Sequence, residues 1–229
     1  MEKIRETLLR HKGALVTDFD GTLTLSGSSL HAAVKVLGPD SGLARGRDLL
    51  YHTLGKPLFE EALKGNVNSP LKKQAELWWE KQLELYVTEQ VSEEILARAA
   101  ALLEPRTEIL ELLRFCLEKE IPVWIVSAGL ENVIRFWLGQ QEIPDEKIRI
   151  LANRIRYGEE KPAGQVPVIT AWNKKERFFQ QAGRSADRYL VFLGDQKEDL
   201  LERGKRGKLS AEREKRLSRN VPGRFWKIV

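Results

Sequence analysis

Two pairs of acidic residues are the side chains of this sequence best suited to chemistry. Asp18 and Asp20 are separated by one residue, so both carboxylates point the same way in an extended segment. Asp195 and Asp199 form a second pair, and each pair follows a short apolar run. Four carboxylates gathered in one place repel one another and need a cation. Oxygen ligands suit Mg²⁺ better than zinc, so the pattern predicts a magnesium site.

Two further residues can supply hydrogen-bond donors for an anion. Ser127 follows the apolar run 121–126, and Lys174 begins a segment of helical pattern. A cation, a lysine, a hydroxyl group and a carboxylate nucleophile are together the components of phosphoryl transfer. The sequence therefore indicates a site for a small-molecule phosphate ester.

Strand and helix patterns alternate along the chain and can bring these residues together. The predicted strands are 14–17, 121–126, 148–155 and 189–193. Amphipathic helical segments separate them, which predicts an α/β fold with a doubly wound, mostly parallel, Rossmann-like sheet. Ligands of such sheets bind at the carboxyl ends of the strands, where Asp18, Ser127 and Asp195 stand.

A long helical segment interrupts this alternation. We predict that residues 26–104 form a helical cap inserted into a core made of residues 1–25 and 105–229. The cap contains the adjacent residues Trp78 and Trp79 in a long amphipathic stretch. Because neighbouring positions of a helix face different directions, we expect at most one of them to line the site.

The composition argues against several classes of protein. A single cysteine, Cys116, excludes an intramolecular disulfide, and three scattered histidines argue against a histidine-based metal site. The sequence has no apolar run near the roughly 20 residues that a membrane span needs. Its first residues include acidic side chains and no apolar core of a secretory signal. We expect a soluble, cytoplasmic protein.

The net charge of +5 is concentrated at one end of the sequence. Residues 201–229 carry ten Lys or Arg residues against three Glu. Such a segment is more often a solvated face or an extension than a nucleic-acid site, so we do not expect a nucleic-acid partner. We interpret 201–229 as a basic, divergent C-terminal segment.

Four motifs resemble those of the haloacid dehalogenase-like phosphohydrolases. Asp18–Thr22 resembles their DxDGT signature, and Ser127 and Lys174 resemble their second and third motifs. Gly194–Asp199 resembles the fourth motif, GDxxxD. The four occur in the order that this superfamily requires, each at a predicted strand end or helix start.

Within this superfamily the sequence resembles the cytosolic pyrimidine 5′-nucleotidases. Ser127–Gly129 reads Ser-Ala-Gly and Trp172–Lys174 reads Trp-Asn-Lys, both similar to segments of that family. The resemblance covers about residues 2–24 and 105–200. The predicted cap matches only loosely.

The resemblance implies roles for the acidic residues. Asp18 would be the nucleophile that forms an aspartyl-phosphate, and Asp20 would be the general acid and then the general base. Asp18, the carbonyl group of Asp20 and Asp195 would hold Mg²⁺. Asp199 would bind the ion through water or stabilise its ligands.

The same resemblance implies a set of substrate-binding residues. Ser127, the backbone of Ala128 and Lys174 would hold the phosphate oxygens. Setting Trp78 and the residue after it against the family's Trp-Tyr pair places Glu61 at the position of a base-contacting glutamate. Trp78 would then lie beside the base.

The sequence therefore predicts a Mg²⁺-dependent phosphomonoesterase that hydrolyses nucleoside 5′-monophosphates, with pyrimidines favoured by the resemblance. Two alternatives stay open: a phosphatase of another small metabolite such as phosphoserine, and a non-catalytic protein whose basic segment binds RNA or a partner. The sequence leaves open the base preference, hydrolysis against phosphotransfer, and the oligomeric state. Only 225–229 resembles a strand after Asp199, so the completeness of the sheet edge is open too.

Overall fold

The computed structural model describes residues 1–25, 27–65, 67–157, 168–183, 189–194 and 225–228. Its strands are β1 (Ala14–Thr17), β2 (Val123–Leu130), β3 (Ile148–Asn153), β4 (Leu190–Gly194) and β5 (Phe225–Ile228). Its α-helices are α1 (Glu2–Arg10), α2 (Ser29–Leu37), α3 (Gly42–Leu50), α4 (Lys56–Leu63), α5 (Ser69–Thr88), α6 (Glu93–Ala101), α7 (Thr107–Glu118), α8 (Glu131–Gln140) and α9 (Lys174–Ala182). A π-helical turn, Tyr51–Gly55, joins α3 to α4.

The five strands form one sheet in the order β3-β2-β1-β4-β5. The first four are parallel, and β5 pairs antiparallel with β4 at the edge. Every residue of β1 and of β4 is buried, as expected for central strands of a parallel sheet covered on both faces. The predicted α/β fold is confirmed, and the segment that resembled a strand near residue 225 forms β5.

Alternating residues of the central strand enter two different hydrophobic clusters. Leu15 belongs to the larger cluster, which includes residues of α1, α7, α8 and the inserted helices. Ala14 and Val16 belong to a smaller cluster on the opposite face, closed by Phe178 of α9. Because strand side chains alternate between faces, β1 is packed from both sides and its end is held rigidly.

The strand register gathers the polar residues at one edge of the sheet. Thr17 lies opposite Ile125 of β2 and Leu193 of β4, so Asp18 emerges between these two strands. β2 does not end at Val126 as predicted. It continues to Leu130, with a register shift against β3 between those two residues, because the backbone bulges there.

Two chain segments connect the inserted helices to the sheet, and they lie side by side. Thr24 and Pro105 form an isolated antiparallel bridge, so the chain enters and leaves the insert at one place. Arg106 donates hydrogen bonds to the carbonyl oxygens of Gly21 (2.9 Å) and Thr22 (3.1 Å). α6 also packs against α2 and against α8 of the sheet-containing part.

Part of the predicted site falls outside the described ranges. Residues 195–224 are among the parts not described, and they include Asp195, Asp199 and most of the basic segment. The predictions for these residues stay predictions. Among the described residues, no helix combines the length and the apolar character that crossing a bilayer requires.

Cys116, on α7, is expected to be unreactive in the folded protein. The residue is fully buried, and burial raises the pKa of its thiol to about 12, so the reactive thiolate is scarce at neutral pH. Ellman's reagent should label no thiol in the native protein and one thiol per chain in guanidinium chloride. Stoichiometric labelling of the native protein within minutes would contradict this packing.

Candidate active site

Asp18 lies at the end of β1 with its carboxylate held from two sides. Its backbone N–H donates to Leu193 of β4 at 3.0 Å, which continues the sheet by one residue. One carboxylate oxygen, Oδ1, accepts a hydrogen bond from the N–H of Phe19 at 2.8 Å. The other, Oδ2, lies 3.4 Å from the ammonium nitrogen of Lys174. The side chain is 11% exposed, so it can reach a ligand while its direction is fixed.

Asp20 lies in the tight turn that follows β1. The turn continues through Gly21, whose φ of +76° is a conformation that favours glycine. Both carboxylate oxygens of Asp20 accept hydrogen bonds from Ser29, from its N–H at 2.8 Å and from its hydroxyl group at 2.9 Å. Ser29 begins α2, so the carboxylate also interacts favourably with the positive end of that helix.

The bulged end of β2 lies directly beside Asp20. Ser127 is buried, and its hydroxyl oxygen accepts a hydrogen bond from the N–H of Gly129 at 3.0 Å. The hydroxyl oxygen of Ser29 accepts one from Leu130 at 3.0 Å, which joins α2 to β2. A Cβ atom at Gly129 would lie 2.2 Å from Ser29 Oγ and 2.8 Å from Asp20 Oδ2. Only glycine therefore permits this approach of the two segments.

Lys174 is a nearly fully buried cation at the start of α9. It is 4% exposed, and its N–H donates to the carbonyl oxygen of Thr170 at 3.0 Å. The amide oxygen of Asn173 accepts from the N–H of Thr170 at 2.8 Å, and the N–H of Asn173 donates to the Thr170 hydroxyl at 3.1 Å. These bonds tie the first turn of α9 to the loop before it, so the side chain of Lys174 extends from a backbone that is held in place.

Asn153 holds the neighbouring loop in the same way. Its amide nitrogen donates to the carbonyl oxygens of Ala128 and Ile169, both at 2.7 Å, and its amide oxygen accepts from Ile169 at 2.7 Å. The residue is 3% exposed at the end of β3. It therefore links the β2 bulge to the segment that carries Lys174.

A cavity of about 430 Å³ opens above these residues. Its floor contains Asp18, Asp20, Ser127 and Lys174. Its walls are Ser28, Leu30, His31, Phe59, Trp78, Trp79, Ala128, Gly129, Ala171 and Trp172. The volume is in the range of small-molecule sites, and most of the wall is aromatic or aliphatic.

The structure brings together the described residues that the sequence proposed for the phosphate. Asp18, Asp20, Ser127, Ala128 and Lys174 all line this cavity. They come from the ends of β1 and β2 and from the start of α9. The two strands are parallel, so their carboxyl ends lie at one edge of the sheet.

Both tryptophans line the cavity, so the expectation of at most one was wrong. The rings of Trp78 and Trp79 pack edge to face, with centroids 5.4 Å apart. The two side chains leave the helix in different directions, but each indole ring is large. The cavity is wide enough for both rings to reach it.

Glu61 does not line the cavity. Its side chain is 48% exposed and forms an ion pair with Lys64 at 2.6 Å. The prediction for Glu61 came from counting back along the sequence from the two tryptophans. It therefore assumed that the inserted helices have the same residue spacing as in the resembling family. The structure leaves its carboxylate on the surface of α4.

Several residues of the site were not predicted from the sequence. Ser29, His31 and Phe59 lie on the inserted helices and reach the cavity or the carboxylate of Asp20. The Ser28-Ser29 pair before an apolar segment was the available signal for the start of α2. Nothing in the pattern around Phe59 distinguishes a cavity wall from a packed core.

His31 is neutral at physiological pH. Partial desolvation lowers the pKa of its imidazole to about 4, and the nearby Arg47 and Lys35 cations add to the effect. The cavity wall therefore presents a neutral imidazole, which can donate one hydrogen bond and accept another.

The donors at the floor fit a hard divalent cation. Asp18 and Asp20 both line the cavity, and carboxylate and carbonyl oxygens suit Mg²⁺. Within the described ranges, no group of three acidic, histidine or cysteine residues is close enough to hold a metal ion. Asp195 and Asp199, the other predicted ligands, lie outside those ranges.

Several solved structures are similar to this chain. Cytosolic 5′-nucleotidase IIIB bound to cytidine is 22% identical, with a TM-score of 0.53, covering 78% of this chain and 65% of that one. A haloacid dehalogenase family hydrolase from Salmonella enterica serovar Typhi is 13% identical, with a TM-score of 0.48 and coverages of 80% and 60%. Phosphoserine phosphatase as a phospho-aspartyl intermediate analogue is 17% identical, with a TM-score of 0.46 and coverages of 76% and 72%.

The chain spans less than two thirds of the first two of these proteins. At 22% identity the similarity to the 5′-nucleotidase is one of fold. No curated protein has a sequence significantly similar to this chain. The model of the haloacid dehalogenase-like hydrolases matches residues 15–201, which include both β1 and the Lys174 segment. The chain belongs to the haloacid dehalogenase-like hydrolase family.

Proposed function

We propose that this protein is a Mg²⁺-dependent phosphomonoesterase that hydrolyses nucleoside 5′-monophosphates, with pyrimidines favoured. The observation that carries the proposal is the position of Asp18. Its carboxylate lies 3.4 Å from the ammonium group of Lys174 on the floor of a cavity whose walls are largely aromatic. A nucleophile beside a cation suits a phosphate group, and aromatic walls suit a planar base.

Asp18 would act as the nucleophile. One of its oxygens would attack phosphorus, and the bond from phosphorus to the ribose oxygen would break, which leaves an aspartyl-phosphate. Lys174, Ser127 and the backbone at Ala128 would bind the phosphate oxygens and offset the negative charge that they carry. The tight fixation of Lys174 supports this role because a preorganised cation needs no rearrangement during the reaction.

Asp20 would move the protons. In the first step it would protonate the departing ribose oxygen, and in the second it would take a proton from the water that attacks the aspartyl-phosphate. Its two hydrogen bonds from Ser29 hold the carboxylate in one orientation.

Mg²⁺ would be held by Asp18, the carbonyl oxygen of Asp20 and Asp195, with Asp199 beside them. When bound, the ion supplies positive charge that offsets the repulsion between the phosphate and the carboxylates. Asp18 and Asp20 both line the cavity, which supports this assignment.

The cavity walls support a nucleotide over phosphoserine. Phosphoserine carries an ammonium and a carboxylate group beyond its phosphate, and both need charged or strongly polar partners when bound. Apart from Asp18, Asp20 and Lys174, the described lining residues carry no charged side chain, since His31 is neutral. Four aromatic side chains lie on those walls, and a base can stack on them: Phe59, Trp78, Trp79 and Trp172.

We also propose that the inserted segment 26–104 acts as the cap and that residues 1–25 and 105–229 form the core. The Thr24–Pro105 bridge supports this division because both connections pass through it. Closure of the cap would limit the access of water to the aspartyl-phosphate. The name of the cytosolic 5′-nucleotidase, which has the same fold, supports a cytosolic location.

The substrate proposal is tested by measuring phosphate release with Mg²⁺ from CMP, UMP, GMP, phosphoserine and p-nitrophenyl phosphate. We expect kcat/KM for CMP to exceed that for phosphoserine by at least about tenfold, because the apolar walls do not compensate the amino-acid charges. Trp78→Ala should raise KM for CMP and leave KM for phosphoserine within about twofold, because phosphoserine has no ring that stacks on the indole. A preference for phosphoserine, or no release from any nucleotide, would refute the proposal.

A further inference from the structure

Glu76 links the inserted helices to the loop that carries Lys174. It lies on α5, two residues before Trp78, and its carboxylate oxygen Oε1 accepts a hydrogen bond from the side-chain nitrogen of Asn173 at 2.9 Å. The two residues are 97 positions apart in the sequence. The contact therefore joins the helix that forms part of the cavity wall to the residue immediately before the lysine.

Asn173 is buried and its amide group is fully used. It is 6% exposed, and its amide nitrogen donates one hydrogen to Glu76 and the other to the carbonyl oxygen of Val168 at 2.9 Å. Its amide oxygen accepts from Thr170 at 2.8 Å. Because an amide nitrogen has only two hydrogens, loss of Glu76 would leave a buried donor without its partner.

These bonds form one continuous path from α5 to the nucleophile. Glu76 binds Asn173, Asn173 holds Thr170, and Thr170 accepts the N–H of Lys174. The ammonium group of Lys174 then lies 3.4 Å from Asp18. A small rotation of Asn173 would change the direction in which α9 begins, and a lysine on a helix N-terminus follows that direction.

We infer that Glu76 is a positioning residue, which acts through Asn173 to hold Lys174 against Asp18 and so couples the inserted helices to the phosphate site. The inference rests on the proposed function for its catalytic part. Glu76 itself does not line the cavity. Trp78 and Trp79 lie on the same helix, so the placement of the substrate wall and of the lysine is set by one element.

The neighbouring ion pair does not account for this arrangement. Arg177 Nη2 lies 3.9 Å from Glu76 Oε1, and both side chains are about one third exposed, at 31% and 32%. An exposed pair at that distance contributes little. The hydrogen bond to the buried Asn173 is the stronger contact, and it needs an oxygen acceptor at position 76 rather than a charge.

That distinction selects the variants for the test. Glu76→Ala removes the acceptor, whereas Glu76→Gln keeps an oxygen and removes the charge. Glu80→Ala is the matched control, since Glu80 lies one helical turn further along α5 and is also partly buried. Steady-state kinetics with CMP and with p-nitrophenyl phosphate, together with thermal unfolding, compare the three.

We expect Glu76→Ala to lower kcat about tenfold for both substrates, because loss of a hydrogen bond to a charged group displaces the shared lysine rather than the base site. KM should change by less than about twofold, and Glu76→Gln and Glu80→Ala should keep kcat within about twofold of the parent protein. An unchanged kcat in Glu76→Ala, or an equal loss in Glu76→Gln, would overturn the inference.

Hydrogen exchange tests the positioning without any substrate. In Glu76→Ala the amides of Asn173 and Lys174 should exchange about tenfold faster, since their acceptors on Thr170 are no longer held, while the amides of β1 keep their protection. Unchanged exchange at these two amides would overturn the inference even if kcat fell. If the parent protein released no phosphate from any ester, the proposed function would fail, and the exchange result would still decide the structural link.

Discussion

Asp18→Asn is expected to lower kcat for nucleotide hydrolysis by at least about 10³-fold, because a neutral amide cannot attack phosphorus. The fold should survive the change. Asparagine has the same shape, and its amide oxygen can still accept the 2.8 Å hydrogen bond from Phe19. Purified parent and variant proteins would be compared by phosphate release under saturating CMP with Mg²⁺, and by circular dichroism.

The matched control for this variant is Asp40→Asn. Asp40 is exposed in the loop after α2, so the same chemical change there should leave kcat within about twofold of the parent. A folded Asp18→Asn protein that retained more than a tenth of the parent kcat would remove Asp18 from the role of nucleophile. It would then be necessary to assign catalysis to another residue of the cavity floor.

Gly129→Ala is expected to lower kcat/KM by about 10²-fold, because the added methyl group displaces the Asp20 carboxylate, which we propose acts in both chemical steps. The new Cβ would lie 2.2 Å from Ser29 Oγ, 2.8 Å from Asp20 Oδ2 and 3.2 Å from Ser127 Oγ. The two segments must therefore separate, and the bonds between Ser29 and Asp20 would break first. Kinetics with p-nitrophenyl phosphate measures the loss without any contribution from base binding.

Gly139→Ala separates the steric effect from the general effect of adding a methyl group. Gly139 lies on α8, is exposed, and a Cβ there would meet no atom within 4 Å. Alanine should stabilise that helix slightly and leave kcat/KM unchanged. Wild-type activity in Gly129→Ala would contradict the close approach of β2 to Asp20.

The strands and the floor of the site were predictable because both depend on local patterns. An apolar run followed by a polar residue marks each central strand, and parallel pairing then brings Asp18 and Ser127 to one edge. The strand limits were less predictable. β2 runs on to Leu130 because the bulge at 127–129 keeps its pairing with β3, which apolar patterning does not reveal.

The cavity walls and the hydrogen bonds that hold the site residues in place were not predictable, because they depend on packing between distant segments. Ser29 holds Asp20 from the first turn of α2, and Glu76 reaches Asn173 across 97 positions. Trp78 and Trp79 are a further example. Helix geometry predicted that two adjacent residues could not both line the cavity, but the size of the rings and the width of the cavity allow both to do so. Side-chain reach is set by tertiary structure, which spacing alone does not contain.

The way the insert joins the sheet restricts how substrate preference can be changed by grafting. The Thr24–Pro105 bridge offers a single junction at which a foreign helical segment can be spliced in. The same splice would strip the packing partner from α8, where the indole N–H of Trp137 donates to Leu103 at 2.8 Å. It would also remove Ser29 from Asp20. A transplanted segment must therefore bring its own serine and its own apolar face for α8, or new selectivity will come with an Asp20 carboxylate that is no longer held in place.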